Sequence, residues 1–165
     1  MITKYIDEEI KYVGSQLSPH WIYKNFKLQG DAIVAFCGEC EVKLTEMVDI
    51  EDVINNEPIY SKYMLSFITE QFNVNLVEGV FRQRLLICII KEELEKRGIF
   101  VTRNGDDLII KGGKLSVSIA TKSQTIIIQL IALFLTATPN LKLCKKAIVV
   151  FSHLYNFVRR KSKKH

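Results

Sequence analysis

Acid is missing from the last quarter of this chain. Residues 1–120 hold all 18 Asp and Glu and 14 of the 23 Lys and Arg, a balance of −4; residues 121–165 hold the other nine cations, a balance of +9. The net charge of +5 and the pI near 9.0 therefore belong to the tail. Glycine and proline are scarce, at eight and three, which excludes a collagen repeat or a low-complexity chain. Four cysteines in 165 residues are too few for a disulfide framework. No phosphate-binding glycine loop or dinucleotide fingerprint occurs. His20, His153 and His165 form no pattern with Ser and Asp that would suggest a hydrolytic triad. The uncharged stretch 123–141 is diluted by Gln124, Gln129, Thr136, Pro139 and Asn140, so a buried strand or helix is expected there rather than a membrane span. Met1-Ile2-Thr3-Lys4 leads into Asp7-Glu8-Glu9 with no early apolar core, so no secretory leader and a cytoplasmic setting are expected.

With 48% apolar and 25% charged residues, the composition is that of a folded globular domain. Ser18-Pro19 reads as a helix start, with a short helix to about Phe26. Asp31–Phe36 reads as a buried strand. Helical patterns are expected around Ile50–Ile54 and Ser61–Phe72. The strongest helix is expected from Leu76 to Arg97, with Val77, Val80, Phe81, Leu85, Ile87 (or Cys88), Ile89 and Leu94 facing the core and Gly98 ending it. A meander follows. Ile99–Arg103, Asp107–Ile110 and Lys114–Ala120 read as strands, separated by turns at Asn104-Gly105 and Lys111-Gly112-Gly113. In the last strand Leu115, Val117 and Ile119 alternate with Ser116, Ser118 and Ala120, giving one apolar and one small, polar face that a flat polar ligand could approach. The order of elements predicts an α+β domain with a mixed, mostly antiparallel sheet packed against helices. The expected domain covers 1–121, with 122–165 an apolar and basic segment that either completes it or diverges from it, as an extension or through a change of reading frame.

A tight glycine turn between two antiparallel strands would bring Asp107 and Lys114 together, as a cross-strand ion pair or as part of an anion site. The run Gly105-Asp106-Asp107-Leu108-Ile109-Ile110-Lys111-Gly112-Gly113-Lys114-Leu115-Ser116-Val117 resembles the central motif of the biotin and lipoate protein ligase catalytic domain, a fold shared with class II aminoacyl-tRNA synthetases. Asp106-Asp107 falls on that family's Asn-Asp pair, Gly112 on its turn glycine and Lys114 on its lysine. Ser15-Gln16-Leu17, the short helix and Asp31–Phe36 fall where the family has its first strand, helix and second strand. The chain to about Thr121 is also similar to an uncharacterised archaeal family that looks like a distant branch of this fold.

The resemblance implies a site for an acyl-adenylate or related small carboxylate or phosphate, and acyl transfer to an amine. Lys114 would be the catalytic cation, because negative charge develops on phosphate and carboxyl oxygens during activation. Ser15, Arg82, Asp106, Asp107, Gly112, Ser116 and Ser118 would line the ligand site. ATP and Mg²⁺ are the implied cofactors, and an acyl-carrier protein the implied partner. The glycine- and arginine-rich adenylate loop of the biotin ligases has no counterpart after Phe36, nor does the lipoate ligases' Gly-rich loop with its histidine, and Val117 stands where the family has Gly. Activity is therefore an open call: an acyl ligase, or a domain that binds without turnover.

Other features admit other readings. Cys37-x-x-Cys40 could be a redox pair, half of a zinc site or two inert thiols, the last being expected. Arg82 and Arg84, two apart on a helix, face different directions, so one could address an anion while the other is solvated. The basic end Arg159-Arg160-Lys161-Ser162-Lys163-Lys164 supports a second hypothesis, a non-enzymatic protein whose tail contacts nucleic acid or anionic lipid; a solvated tail is the expectation.

Overall fold

In a computed structural model, residues 1–43 and 59–134 are described. A five-stranded sheet has the order β1-β2-β3-β8-β7. Its strands are β1 (Ile2–Tyr5), β2 (Ala32–Val42), β3 (Ile59–Phe72), β7 (Ser116–Ser123) and β8 (Ile126–Phe134). Only β1 and β2 run parallel; every other pairing is antiparallel. A second sheet joins β4 (Thr102–Asn104), β5 (Asp107–Ile110) and β6 (Gly113–Lys114). A 3₁₀ turn (Ser15–Leu17), α1 (Trp21–Phe26) and α2 (Leu76–Glu95) complete the described elements. The α+β expectation holds. The helix expected at Ile50–Ile54, the apolar run beyond Phe134 and the basic tail lie outside the described residues.

The large sheet is apolar on both faces. On one, Ile33, Ala35, Leu65, Phe67, Ile131 and Leu133 pack with Leu86, Ile87 and Ile90 of α2 and Leu108 of the small sheet. On the other, Val34, Phe36, Met64, Ile68, Ile128 and Leu130 pack with Ile22 of α1, Leu17 and Trp21. Covering on both sides explains the chief error of the sequence reading. Ser61–Phe72 is strand, not helix. Met64 to Gln71 are all buried, so the period-two alternation of a half-exposed strand is lost, and Met64, Leu65, Phe67 and Ile68 imitate helical spacing.

The long helix forms where expected, capped by Asn75, whose side chain accepts the Glu78 N–H at 2.8 Å, a residue pair that fits a helix start. It ends at Glu95, and Gly98 then turns with φ +76°. Ile87, Ile89 and Leu94 are buried as expected, but in the first half of the helix the buried face is rotated from the expected one. Gly79, Gln83, Leu86, Ile87 and Ile90 face inward, whereas Val77, Phe81 and Leu85 are exposed. Gly79 sets the rotation: a Cβ there would lie 2.8 Å from Ile127 Cγ2, so helix and sheet meet at their closest where no side chain intervenes. Gly38 does the same for the stretch after β1. Ile6, Ile10 and Tyr12 donate N–H groups along β2 to Ala35, Cys37 and Glu39, and a Cβ on Gly38 would stand 2.3 Å from the Ile10 carbonyl oxygen.

Ser18-Pro19 does not cap α1. The helix starts after His20, which has φ +63° and makes no side-chain cap. The Ile22 N–H instead goes to Glu70 Oε1 of β3 at 3.1 Å. The strand expected over Lys114–Ala120 is broken at Leu115. Its N–H donates to the Leu108 carbonyl at 2.7 Å, and its own carbonyl accepts the Phe134 N–H at 2.8 Å, so one residue joins the two sheets. The uncharged run after residue 123 provides β8, between β3 and β7. Among the described residues no helix is long and apolar enough to cross a membrane.

Candidate functional site

The Asp107–Gly112–Lys114 hairpin forms as its turn chemistry requires. Lys111 and Gly112 take positive φ, +48° and +79°, which reverses the chain between β5 and β6. Ile109 pairs with Lys114 and Ile110 with Gly113. Directly paired residues share a face, and so do residues two apart on one strand. Asp107, Ile109 and Lys114 therefore project from one face, while Leu108 turns into the core. Lys114 Nζ lies 3.1 Å from Asp107 Oδ2, with the lysine side chain 59% exposed and the aspartate 24%. The lysine side chain is thus ion-paired with a carboxylate while more than half of its surface stays exposed. An exposed pair of this kind contributes about 0–1 kcal/mol to stability, so its position is not explained by stability.

The two aspartates do not act as a pair. Asp106 accepts the Ser118 hydroxyl at 2.8 Å through Oδ2, whereas Asp107 faces Lys114. Among the described residues no group of three or more His, Cys, Asp or Glu side chains could hold a metal ion. The donor set at this hairpin thus does not fit a resident metal, and any Mg²⁺ would arrive on nucleotide phosphates.

The polar face of β7 is used internally. Ser116 is buried, and its Oγ accepts the Leu108 N–H at 2.8 Å; Ser118 serves Asp106. Both serines pair with β8 residues of the α2-side core, Leu133 and Ile131. The small hydroxyls therefore tie β7 to the β4–β5 hairpin and are not an open platform. Val117 and Ile119 pack on the opposite side, against the cluster that also holds Leu17 and Trp21. Ser15 is exposed at the start of the 3₁₀ turn. Its neighbour Gln16 is buried, accepting the Val13 N–H at 3.0 Å and donating to the Lys11 carbonyl at 2.8 Å.

Arg82 is remote from Lys114. It donates to Gln71 Oε1 at 2.7 Å and pairs with Glu78. Gln71 pairs with Ile127 on β8, and Ser116 with Leu133; six residues of strand separate these positions, roughly 20 Å. Arg82 instead joins a buried network that sequence reasoning missed. Thr69 and Gln71 each donate to Gln129 Oε1 at 3.0 Å, and Gln129 donates to the Gly79 carbonyl. The available signal was a polar residue inside an apolar strand, as in Ile126-Ile127-Ile128-Gln129-Leu130. Glu70, buried at 2% exposure, was also missed. Burial pushes its carboxyl pKa up, opposed by the Ile22 N–H.

Cys37 and Cys40 are inert as a pair. They lie within β2, three residues apart, so the alternation of the strand puts them on opposite sides of the sheet. Burial pushes the Cys40 thiol up to about 11, the reverse of what a reactive thiolate needs.

The α+β fold with this strand order is the one found in solved biotin and lipoate ligases, compared below. Residues 1–151 match the model of a family described as a domain of unknown function, DUF366, and the chain belongs to that family. An uncharacterized protein of Methanocaldococcus jannaschii is 37% identical over 123 residues, 72% of this chain, and this chain spans 56% of its length. A protein of unknown function from Pyrococcus horikoshi aligns over 99% of this chain and 96% of its own, at 32% identity and a TM-score of 0.90. A putative lipoate protein ligase from T. acidophilum with bound lipoic acid has a TM-score of 0.60 at 10% identity, over 92% of this chain and 84% of its own. The biotin acetyl coenzyme A carboxylase synthetase of Helicobacter pylori, with bound biotinylated ATP, has a TM-score of 0.59 at 11% identity, over 92% and 73%. Identities this low establish the shared fold.

Proposed function

We propose that this domain binds a small carboxylate or its acyl-adenylate, with Lys114 as the cation for the ligand's anionic group. The observation that carries the reading is the Lys114–Asp107 pair on the glycine-turned hairpin: a positioned ammonium, 59% exposed, with little to contribute to stability. A fixed cation beside phosphate or carboxylate oxygens stabilises the charge that develops there. Asp107 orients the amine, and Gly112 permits the turn that presents it. Ser15 is the candidate from outside the hairpin. Ser116, Ser118 and Asp106 support the hairpin from behind, and Arg82 is not part of the site.

The reaction that fits is activation of a carboxylate by ATP, with release of pyrophosphate, then attack of an amine on the acyl carbon with loss of AMP. Mg²⁺ would be carried by the nucleotide, and the amine would be supplied by a carrier protein. Calorimetric titration with AMP and with lipoate tests the binding. Lys114→Ala should weaken both at least tenfold, and unchanged affinity for both overturns the reading. Hydroxamate formation from ATP, hydroxylamine and a panel of carboxylic acids tests turnover separately. Activity with none of them restricts the domain to binding.

A further inference from the structure

The small sheet packs on the α2 side of the large sheet, and α1 packs on the other. There α1 shows solvent a face with cations and no acid. Ile22 is fully buried, in the cluster that Trp21 and Phe26 border, which leaves Tyr23, Lys24 and Lys27 outward; all three are exposed. Lys27 Nζ stands 5.6 Å from the centre of the Tyr23 ring, and it donates to the Lys24 carbonyl at 3.0 Å. A third ammonium comes from β1. Lys4 Nζ stands 5.5 Å from the centre of the Phe26 ring, and Phe26 is one turn from Tyr23 on the helix surface. Residues 10–30 hold no Asp or Glu. Glu70, the acid beneath α1, is 2% exposed and accepts the Ile22 N–H. Among the described residues no carboxylate forms an ion pair with Lys4, Lys24 or Lys27, whereas Lys11, Lys91, Lys96 and Arg97 are all paired. Lys24 and Lys27 suit the carbonyl end of a helix, but that does not account for Lys4, which comes from a separate strand. Like charges gathered about one short helix repel one another, so stability does not explain the group.

We propose that this face binds single-stranded nucleic acid, with Lys4, Lys24 and Lys27 on phosphates and Tyr23 stacked on a base. The proposal is independent of the Lys114 reading, because it uses the opposite side of the large sheet. Basic side chains that track a phosphate backbone beside an exposed ring are the two elements of sequence-tolerant strand binding. Tyr23 is 41% exposed, and unpaired bases can be splayed onto such a ring whereas those of a duplex are stacked on each other. An anionic membrane fits less well. A helix that lies in a lipid surface buries an apolar face there, and α1 has already turned Ile22, Trp21 and Phe26 to the protein core.

The test is fluorescence anisotropy of a labelled oligothymidylate with the intact chain, between about 50 and 200 mM salt. The basic tail is present in every variant, so differences between variants report the α1 face. The triple variant Lys4→Ala, Lys24→Ala, Lys27→Ala should bind at least about tenfold more weakly. Its slope of log affinity against log salt should be shallower by about 2, three phosphate contacts at about 0.7 each. Tyr23→Ala should lose about tenfold with the slope unchanged, and Tyr23→Phe should retain parental affinity. Unaltered melting temperatures serve as the folding control. Equal affinity and slope in parent and triple variant overturn the proposal and assign any binding to another part of the chain. Equal affinity in Tyr23→Ala overturns the single-strand reading. Parent that ignores the oligonucleotide but sediments with phosphatidylserine–phosphatidylcholine vesicles, with the triple variant losing that, overturns it in favour of a membrane contact.

Discussion

Arg82 and Lys114 are both cations beside an acid on this one domain, and they have opposite fates. Arg82 projects from α2 onto the sheet with its side chain mostly covered, bonded to Gln71 and Glu78. Gln71 continues into Gln129, Thr69 and the Gly79 carbonyl. Every link is occupied by another protein group, so the charge is spent on holding helix to sheet. Lys114 is paired with Asp107 on an exposed hairpin, its side chain 59% exposed. A satisfied buried network rigidifies a fold, whereas a cation that contributes little to stability is open to a ligand. The residue type is thus no guide to function; the state of its partners is.

The largest effect that would sharpen this contrast is expected at the buried end. Gln129→Leu leaves the Gly79 carbonyl without its side-chain donor and strips Thr69 and Gln71 of their shared acceptor. It should cost about 3 kcal/mol, readable as a lowered midpoint in urea, because buried polar groups left unmade are expensive. AMP affinity should stay within about twofold. A loss below about 1 kcal/mol would show that the network is not what fastens α2.

A middle-sized effect is expected at Glu70, with a defined sign. Its carboxyl pKa is raised in the folded state above the ordinary carboxylate value, chiefly by burial. The folded protein therefore binds the proton more tightly than the unfolded chain. Stability from this group is fully present below the unfolded value, near 4.5, and is lost as pH rises through the folded one. Glu70→Gln keeps an oxygen for the Ile22 N–H and removes the ionisation. Its melting temperature should fall less steeply than the parent's between the unfolded and folded values. Identical slopes would mean that Glu70 is solvated.

The smallest effect belongs to the exposed pair. Lys114→Ala should change the unfolding free energy by no more than about 1 kcal/mol while weakening ligand binding, the reverse of the Gln129 variant. A large loss of stability would place Lys114 in the same structural class as Arg82 and end the contrast.

The hairpin was legible because its signals are local. Asn104-Gly105 and Lys111-Gly112-Gly113 force reversals wherever they occur, and the intervening strands are too short to pair otherwise. The Asp107–Lys114 contact followed from that spacing. The sheet-facing side of α2 was legible at Ile87, Ile89 and Leu94 but not in the first half of the helix. Val77, Phe81 and Leu85 are as apolar as Leu86, Ile87 and Ile90, and periodicity alone cannot choose between two apolar stripes; the bare backbone at Gly79 chose. Ser116 and Ser118 were misread for a related reason. Alternation correctly separated them from Val117 and Ile119, but the polar side met Leu108 and Asp106 rather than an open surface.

The amino-acid sequence by itself determined the turns, the capped long helix, the α+β class and the approach of Lys114 to Asp107, since each depends on backbone preferences and contacts within about ten residues. Tertiary structure alone decided that Ser61–Phe72 would be a strand, that β2 would run on through Cys37 and Cys40, and that Arg82 would be held by Gln71 and Glu78. Those outcomes depend on which distant segments cover each face. The free energy of covering a face is shared among strands and helices far apart in the chain, and no local pattern records it.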